Sequence, residues 1–177
     1  DATEHQDGLM LAVATESLVK LVAFIAVGVV VTWGMFGGLE DLWTRASANP
    51  RVMKIFSEPV DWTTMIVMTG LSAIAILLLP RQFHVSVVEN HDERDVKASS
   101  WLFPLYLVAI NLFVVPLAVA GLLVFPDGAI DRDMTVLALP LQAGRHVLAV
   151  LSMLGGISAS MAMIIVECVA LSIMISN

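Results

Sequence analysis

Charge and cysteine are both scarce in this chain. Of its 177 residues 14% are charged and one is cysteine, against about 25% charged residues in an average soluble domain. The lone Cys168 excludes an intrachain disulfide and leaves the redox compartment unspecified. Its place inside an apolar run reads as a small buried apolar residue. No phosphate-cradling loop, nucleophile constellation or clustered basic surface stands out, so enzymatic and nucleic-acid-binding readings have no support. His5, His91 and His146 form no metal-ligand spacing. What is abundant is apolar: 58% of residues are hydrophobic and the mean hydropathy is +0.88. Lipid is the expected solvent, and the net charge of −7 says little about ligands because most charges sit in short segments between apolar runs.

Crossing about 30 Å of hydrocarbon takes about 20 apolar residues of helix. Four runs meet that need. They cover about 9–36, interrupted by Glu16 and Lys20 and stopped at Gly37 and Gly38; 62–79, closed by Pro80 and Arg81; 101–125, ended by Pro126, Asp127 and Gly128; and 147–177, longer than one crossing. They are apolar on every face, whereas membrane strands would alternate over about ten residues. The predicted fold class is therefore an all-α membrane protein with four transmembrane helices. Pro104 and Pro116 predict a bend in the third. Residues 39–61 predict a short amphipathic helix near the interface, and 81–100 a polar, partly helical surface segment. Residues 126–146 begin with Asp131, Arg132 and Asp133 and continue as a semi-apolar stretch that re-enters the membrane or caps a cavity.

Four spans place both ends of the chain on one side with the 81–100 loop. That side carries Arg81, Arg94 and Lys97 against Arg45, Arg51, Lys54, Arg132 and Arg145 opposite, so the positive-inside rule alone puts the ends outside. The opening Asp-Ala-Thr-Glu-His-Gln-Asp has neither a basic region nor an initiator Met, and the sequence is expected to begin mid-protein.

Ionisable groups within a span are functional candidates by default, each costing about 2.5–3.5 kcal/mol on insertion scales. Glu16, Lys20 and Glu167 qualify. Glu16 and Lys20, four residues apart, share a helix face and can neutralise each other; a structural ion pair is the plain reading. Gly155, Gly156, Ser158, Ala159 and Ser160 form a cluster of small residues whose plain reading is a packing seam. Asn111 predicts an interhelical hydrogen bond. Gln82 and His84 sit at a membrane boundary, where a histidine is an interface hydrogen-bonder or a proton carrier.

The segment Arg81-Gln82-Phe83-His84-Val85 is similar to the Gly-Gln-Pro-His segment of sodium:solute symporters. Thr15-Glu16-Ser17 resembles the Thr-Asp motif of their fifth core helix, and the last span resembles their long eighth core helix. A closer resemblance is to the symporter-like N-terminal domain of membrane-bound bacterial sensor histidine kinases. It is carried by Glu16-Ser17-Leu18-Val19-Lys20-Leu21-Val22-Ala23-Phe24, Leu78 to His84, Val88-Glu89-Asn90, Asp92-Glu93-Arg94, Trp101-Leu102-Phe103-Pro104-Leu105-Tyr106 and Ile165-Val166-Glu167.

This resemblance implies a LeuT-type fold of two inverted five-helix repeats, with residues 1–177 as a partial domain matching core helices five to eight. It implies a multi-pass protein of the bacterial inner membrane with cytoplasmic ends, against the charge count, and the ends are expected to follow the resemblance. The expected partners are the bilayer, the remaining helices of the domain, and a small organic solute, an amino acid or carboxylate. The expected function is alternating-access transport or solute sensing relayed to a kinase; a plain symporter, a sensor that does not transport and a structural scaffold are the alternatives. The chain itself carries no kinase motif and is not expected to be an enzyme. Sodium or protons are the expected coupling ions and no other cofactor is expected.

The family binds sodium with paired hydroxyls of the eighth core helix; matching the last span by its start places Ser160 and Met161 there, and matching it by its end shifts by about two residues and loses both. Met161 supplies no hard oxygen, so the site is degenerate or absent, with Ser158 and Ser160 the surviving candidate ligands. The resemblance sets Glu16 beside a sodium route. Symporters usually lack a lysine one turn later, and the Lys20 ammonium could replace the ion's charge. Ser160 and Glu167 lie within about 20° on one helix face, which predicts a network of Glu16, Lys20 and Glu167. Thr69, Gly70 and Ser72 in the second span either line a substrate path or serve packing.

Overall fold

A computed structural model describes residues 7–79, 93–126 and 129–176. They are helical almost throughout, with no strand among them. The helices are α1 (Asp7–Val29), α2 (Leu39–Ala48), α3 (Pro50–Ser57), α4 (Trp62–Leu78), α5 (Glu93–Asn111), α6 (Val114–Val124), α7 (Thr135–Gln142) and α8 (His146–Ser176). Three stretches, Met10–Met35, Val96–Val124 and His146–Ile175, are long and apolar enough to cross a membrane. By length and composition this is a multi-pass membrane chain.

The fourth expected span is a shorter apolar helix. α4 ends at Leu78, about 26 Å of axis at 1.5 Å per residue. Leu79 has turned extended, at φ −70° and ψ 124°, the conformation imposed on a residue that precedes proline. The third run is interrupted where proline predicts. Pro116 cannot donate to the carbonyl of Leu112 and crowds it; the helix breaks at Leu112 and Phe113 and restarts as α6 with Pro116 in its first turn. Pro104 stays inside α5.

The end of the first span differs from a plain stop at glycine. Before the chain leaves the helix, Val30–Met35 widens into a π-helix. Gly38 then takes φ 112°, open to a residue without Cβ, and donates its N–H to Thr32 O at 3.0 Å. The expected amphipathic helix is two helices. Asn49 caps α3 by accepting from Arg51 N–H at 3.1 Å, with Pro50 in the first turn. Trp43 and Phe56 meet edge to face at 5.7 Å, both half-exposed.

The chain divides into two compact units. The first comprises 1–15, 59–104 and 160–177. Within it α4 is exposed at every residue from Trp62 to Ile74, and α8 buries Ala162, Val166 and Ala170, spaced four apart along one face. The second comprises 16–58 and 105–159 and holds the principal core: Val27 and Val31 pack with Leu42, Val52, Phe113, Leu117 and Leu139. Lipid tails are as apolar as these side chains, so close packing rather than the hydrophobic effect holds such a core together. Gly28 permits it, since a Cβ there would lie 2.5 Å from Phe113 Cβ.

Candidate functional site

The second unit brings the two central charges of the first span together. Lys20 Nζ lies 2.8 Å from Glu16 Oε1 on α1, with side-chain exposures of 25% and 15%. The contact is an ion pair by distance rather than an aligned hydrogen bond, and no other donor among the described residues reaches that buried oxygen. Lys20 lies about 15 Å along the axis from Met10, near mid-depth for a 30 Å hydrocarbon layer. One turn away the Tyr106 hydroxyl of α5 donates to Ser17 O at 3.4 Å, fixing the two helices beside the pair.

Lys20 also lines a cavity of about 470 Å³ within this unit. Its walls are mainly apolar: Phe24 from α1, Met134 and Leu137 from the α7 region, and Met153 and Ile157 from α8. Three polar side chains reach it. Besides Lys20 these are Asp133 and Ser152, and the Ser152 hydroxyl donates to Val136 O at 3.4 Å. Asp133 belongs to a 3-10 turn, Arg132–Met134, started by Asp131 accepting from Asp133 N–H at 3.4 Å. Gly156 faces the cavity, and a Cβ built on it meets nothing within 4 Å. The volume and lining suit a small-molecule site, where apolar walls hold the body of a guest and a few polar groups orient it.

No family model matches the chain, and no curated protein or solved structure matches it either.

The other residues singled out in the sequence are distributed along the helices. Ser158 is half-buried in the second unit, while Ser160 is exposed and falls in the first. Two residues apart within one turn of α8, their side chains leave the helix about 200° apart. Glu167 is half-buried on α8 in the first unit, whereas Glu16 and Lys20 belong to the second. Thr69 and Ser72 are exposed on α4 and return their hydroxyls to their own helix, at Met65 O (2.7 Å) and Met68 O (2.8 Å). Gly70 between them has open space where a Cβ would stand. Asn111 donates to Leu107 O at 2.7 Å within α5 rather than to another helix; four-residue spacing and an exposed position make the local acceptor the nearer one. Gln82 and His84 lie outside the described residues. Cys168 is exposed. Among the described residues no cluster of His, Cys, Asp and Glu could hold a metal ion.

Sequence reasoning passed over Asp133 and Gly156 as cavity residues. Asp133 is read as part of a polar loop group and Gly156 as part of a packing seam, because the helices that converge on the cavity lie far apart in sequence. The expectation that the stretch after Asp131 caps a cavity is the signal that pointed towards them.

Proposed function

We propose that the chain is part of a solute-handling membrane domain that acts by alternating access and serves as the input domain of a sensor histidine kinase. The observation that carries this reading is a neutralised ion pair near mid-span opening onto an apolar cavity. An ion pair kept inside an apolar helix has a cost that a purely structural span avoids. The resemblance supplies the rest of the proposal: four spans equivalent to core helices five to eight of a LeuT-type fold, a bacterial inner membrane, and sodium or proton coupling through Ser158, Ser160 and the Glu16, Lys20 and Glu167 charges. On this reading the exposed apolar face of α4 meets the remaining helices of the domain or lipid.

The test is uptake and binding by the full-length protein in liposomes, with a panel of small organic solutes, in sodium and in sodium-free buffer. Saturable uptake with matched changes in kinase autophosphorylation is the expected result. Binding that changes phosphorylation without accumulation assigns a sensor that does not transport. Neither binding nor uptake across the panel rejects the proposal.

A further inference from the structure

The charges around the cavity favour one class of guest. Lys20 could hold a carboxylate, but its ammonium already lies 2.8 Å from Glu16. The Glu16–Lys20 pair is neutral as a unit. Asp133 lines the cavity while exposed to solvent, and among the described residues its carboxylate has no hydrogen-bond or ion-pair partner. The three groups therefore sum to −1. A carboxylate entering between these apolar walls raises the local charge to −2, and like charges repel, with the Asp133 share of that repulsion screened by the solvent it is exposed to. An ammonium brings the sum to zero. An uncharged guest leaves it as it was.

We infer that this cavity is a site for an apolar organic ammonium, and that the Glu16–Lys20 pair turns simple carboxylates away. The ammonium is held on the Asp133 carboxylate, and its apolar body lies against Phe24, Leu137 and Met153. Lys20 retains donors beyond the one facing Glu16, so a neutral acceptor group on the same guest is tolerated there. Glu16 is thus a specificity residue that acts through Lys20: it decides whether that ammonium is available to an anion. The inference rests on the reading of this region as a solute site, and it departs from that reading's carboxylate class.

The experiment uses the full-length protein in neutral-lipid nanodiscs and three probes of like shape: tryptamine, tryptophol and indole-3-propionate. Calorimetric titration is expected to rank them in that order, with tryptamine at least about tenfold tighter than indole-3-propionate, a difference of 1.4 kcal/mol. Asp133→Asn should weaken tryptamine most. Glu16→Gln frees Lys20 and brings the sum to zero, so the advantage of tryptamine over indole-3-propionate should shrink, while Glu16→Asp, which keeps the charge, should preserve it. Gly156→Leu, whose side chain enters open space, should abolish binding of all three. Equal or tighter binding of indole-3-propionate to the unaltered protein, lost in Gly156→Leu, overturns the inference while leaving a solute site in place. Binding that survives Gly156→Leu, a tryptamine advantage undiminished in Glu16→Gln when Glu16→Asp folds normally, or no binding of any probe also overturns it.

Discussion

Replacing Gly28 by alanine tests how the core of the second unit is built. A Cβ at position 28 would stand 2.5 Å from both Cβ and Cδ1 of Phe113, where carbon atoms prefer about 3.5–4.0 Å. Phe113 is poorly placed to yield. Its Cβ is tied to the backbone at the break between α5 and α6, the residue is 6% exposed, and its ring meets Trp33 edge to face at 6.3 Å. About an ångström of movement must come from α1 and α6 parting, which loosens Val27, Val31 and Leu117 as well. Overpacking of this kind costs about 1–3 kcal/mol. Alanine also favours a helix over glycine by about 0.8–1.0 kcal/mol, which masks part of the loss. Gly70 supplies the correction, since it too is inside a helix and has nothing within 4 Å of a Cβ. The difference between Gly28→Ala and Gly70→Ala isolates the packing term, expected at about 1–3 kcal/mol against Gly28→Ala. Thermal unfolding of the full-length protein in detergent measures it, and Phe113→Ala should remove most of the difference when combined with Gly28→Ala. Equal stability of the two glycine variants refutes the close approach of α1 to Phe113.

The Thr32 hydroxyl is fully buried without a hydrogen-bond partner among the described residues, so Thr32→Val, nearly the same shape, should raise stability in the same unfolding assay by about 1 kcal/mol or more; a loss would show that the hydroxyl has a bonded role. Asp41 accepts from Gly37 N–H at 3.0 Å and pairs with Arg45 at 3.0 Å, and the backbone bond first, then Arg45, hold its carboxyl below the ordinary value of 3.8. A carboxyl lowered on folding contributes stability above its unfolded pKa and loses it as pH falls through the folded value. Asp41→Asn should therefore be less stable than the parent at neutral pH, and the two unfolding curves should converge only below about pH 4. Asp61 behaves alike: its bonds from Thr64 and Thr63 cap α4 and lower its carboxyl, so Asp61→Ala should fray that helix, seen as faster amide exchange at Thr63 and Thr64 above pH 4. Pro116→Ala restores a donor for Leu112 O, and should straighten the α5–α6 break, read as a longer spin-label distance between positions 105 and 122.

Hydropathy finds an apolar helix because every face must suit lipid, so three of the expected spans coincide with helical stretches long enough to cross. The second run stops where its proline predicts, the helix closing at Leu78 because Leu79 precedes Pro80, and at 17 residues it is shorter than the three long stretches. Proline acts at a distance in the third run too, where Pro116 displaces the break four residues upstream to Leu112. The π-helix at Val30–Met35 has no such local signal. It is packed between α2, α6 and α7 and belongs to the tertiary arrangement.

The site divides along the same line. Glu16 and Lys20 are four residues apart on one helix, and their pairing is readable from periodicity alone. The cavity beside them is assembled from α1 and, more than a hundred residues later, the turn at Asp133 and the Gly156 face of α8, which no local pattern relates to α1. Asp133 illustrates the consequence. In sequence it is one of three charges in a polar loop, and in the structure it stays exposed to solvent while lining the cavity. Placed on the same cavity as Lys20, it changes the net charge presented to a guest, and with Glu16 cancelling the lysine it makes the balance negative. A motif-level reading of an intramembrane lysine favours an anionic solute; the charge sum over all three residues favours the opposite sign. Ion pairing within α1 is thus local information, but what the pair selects for depends on a carboxylate that only the fold brings to it.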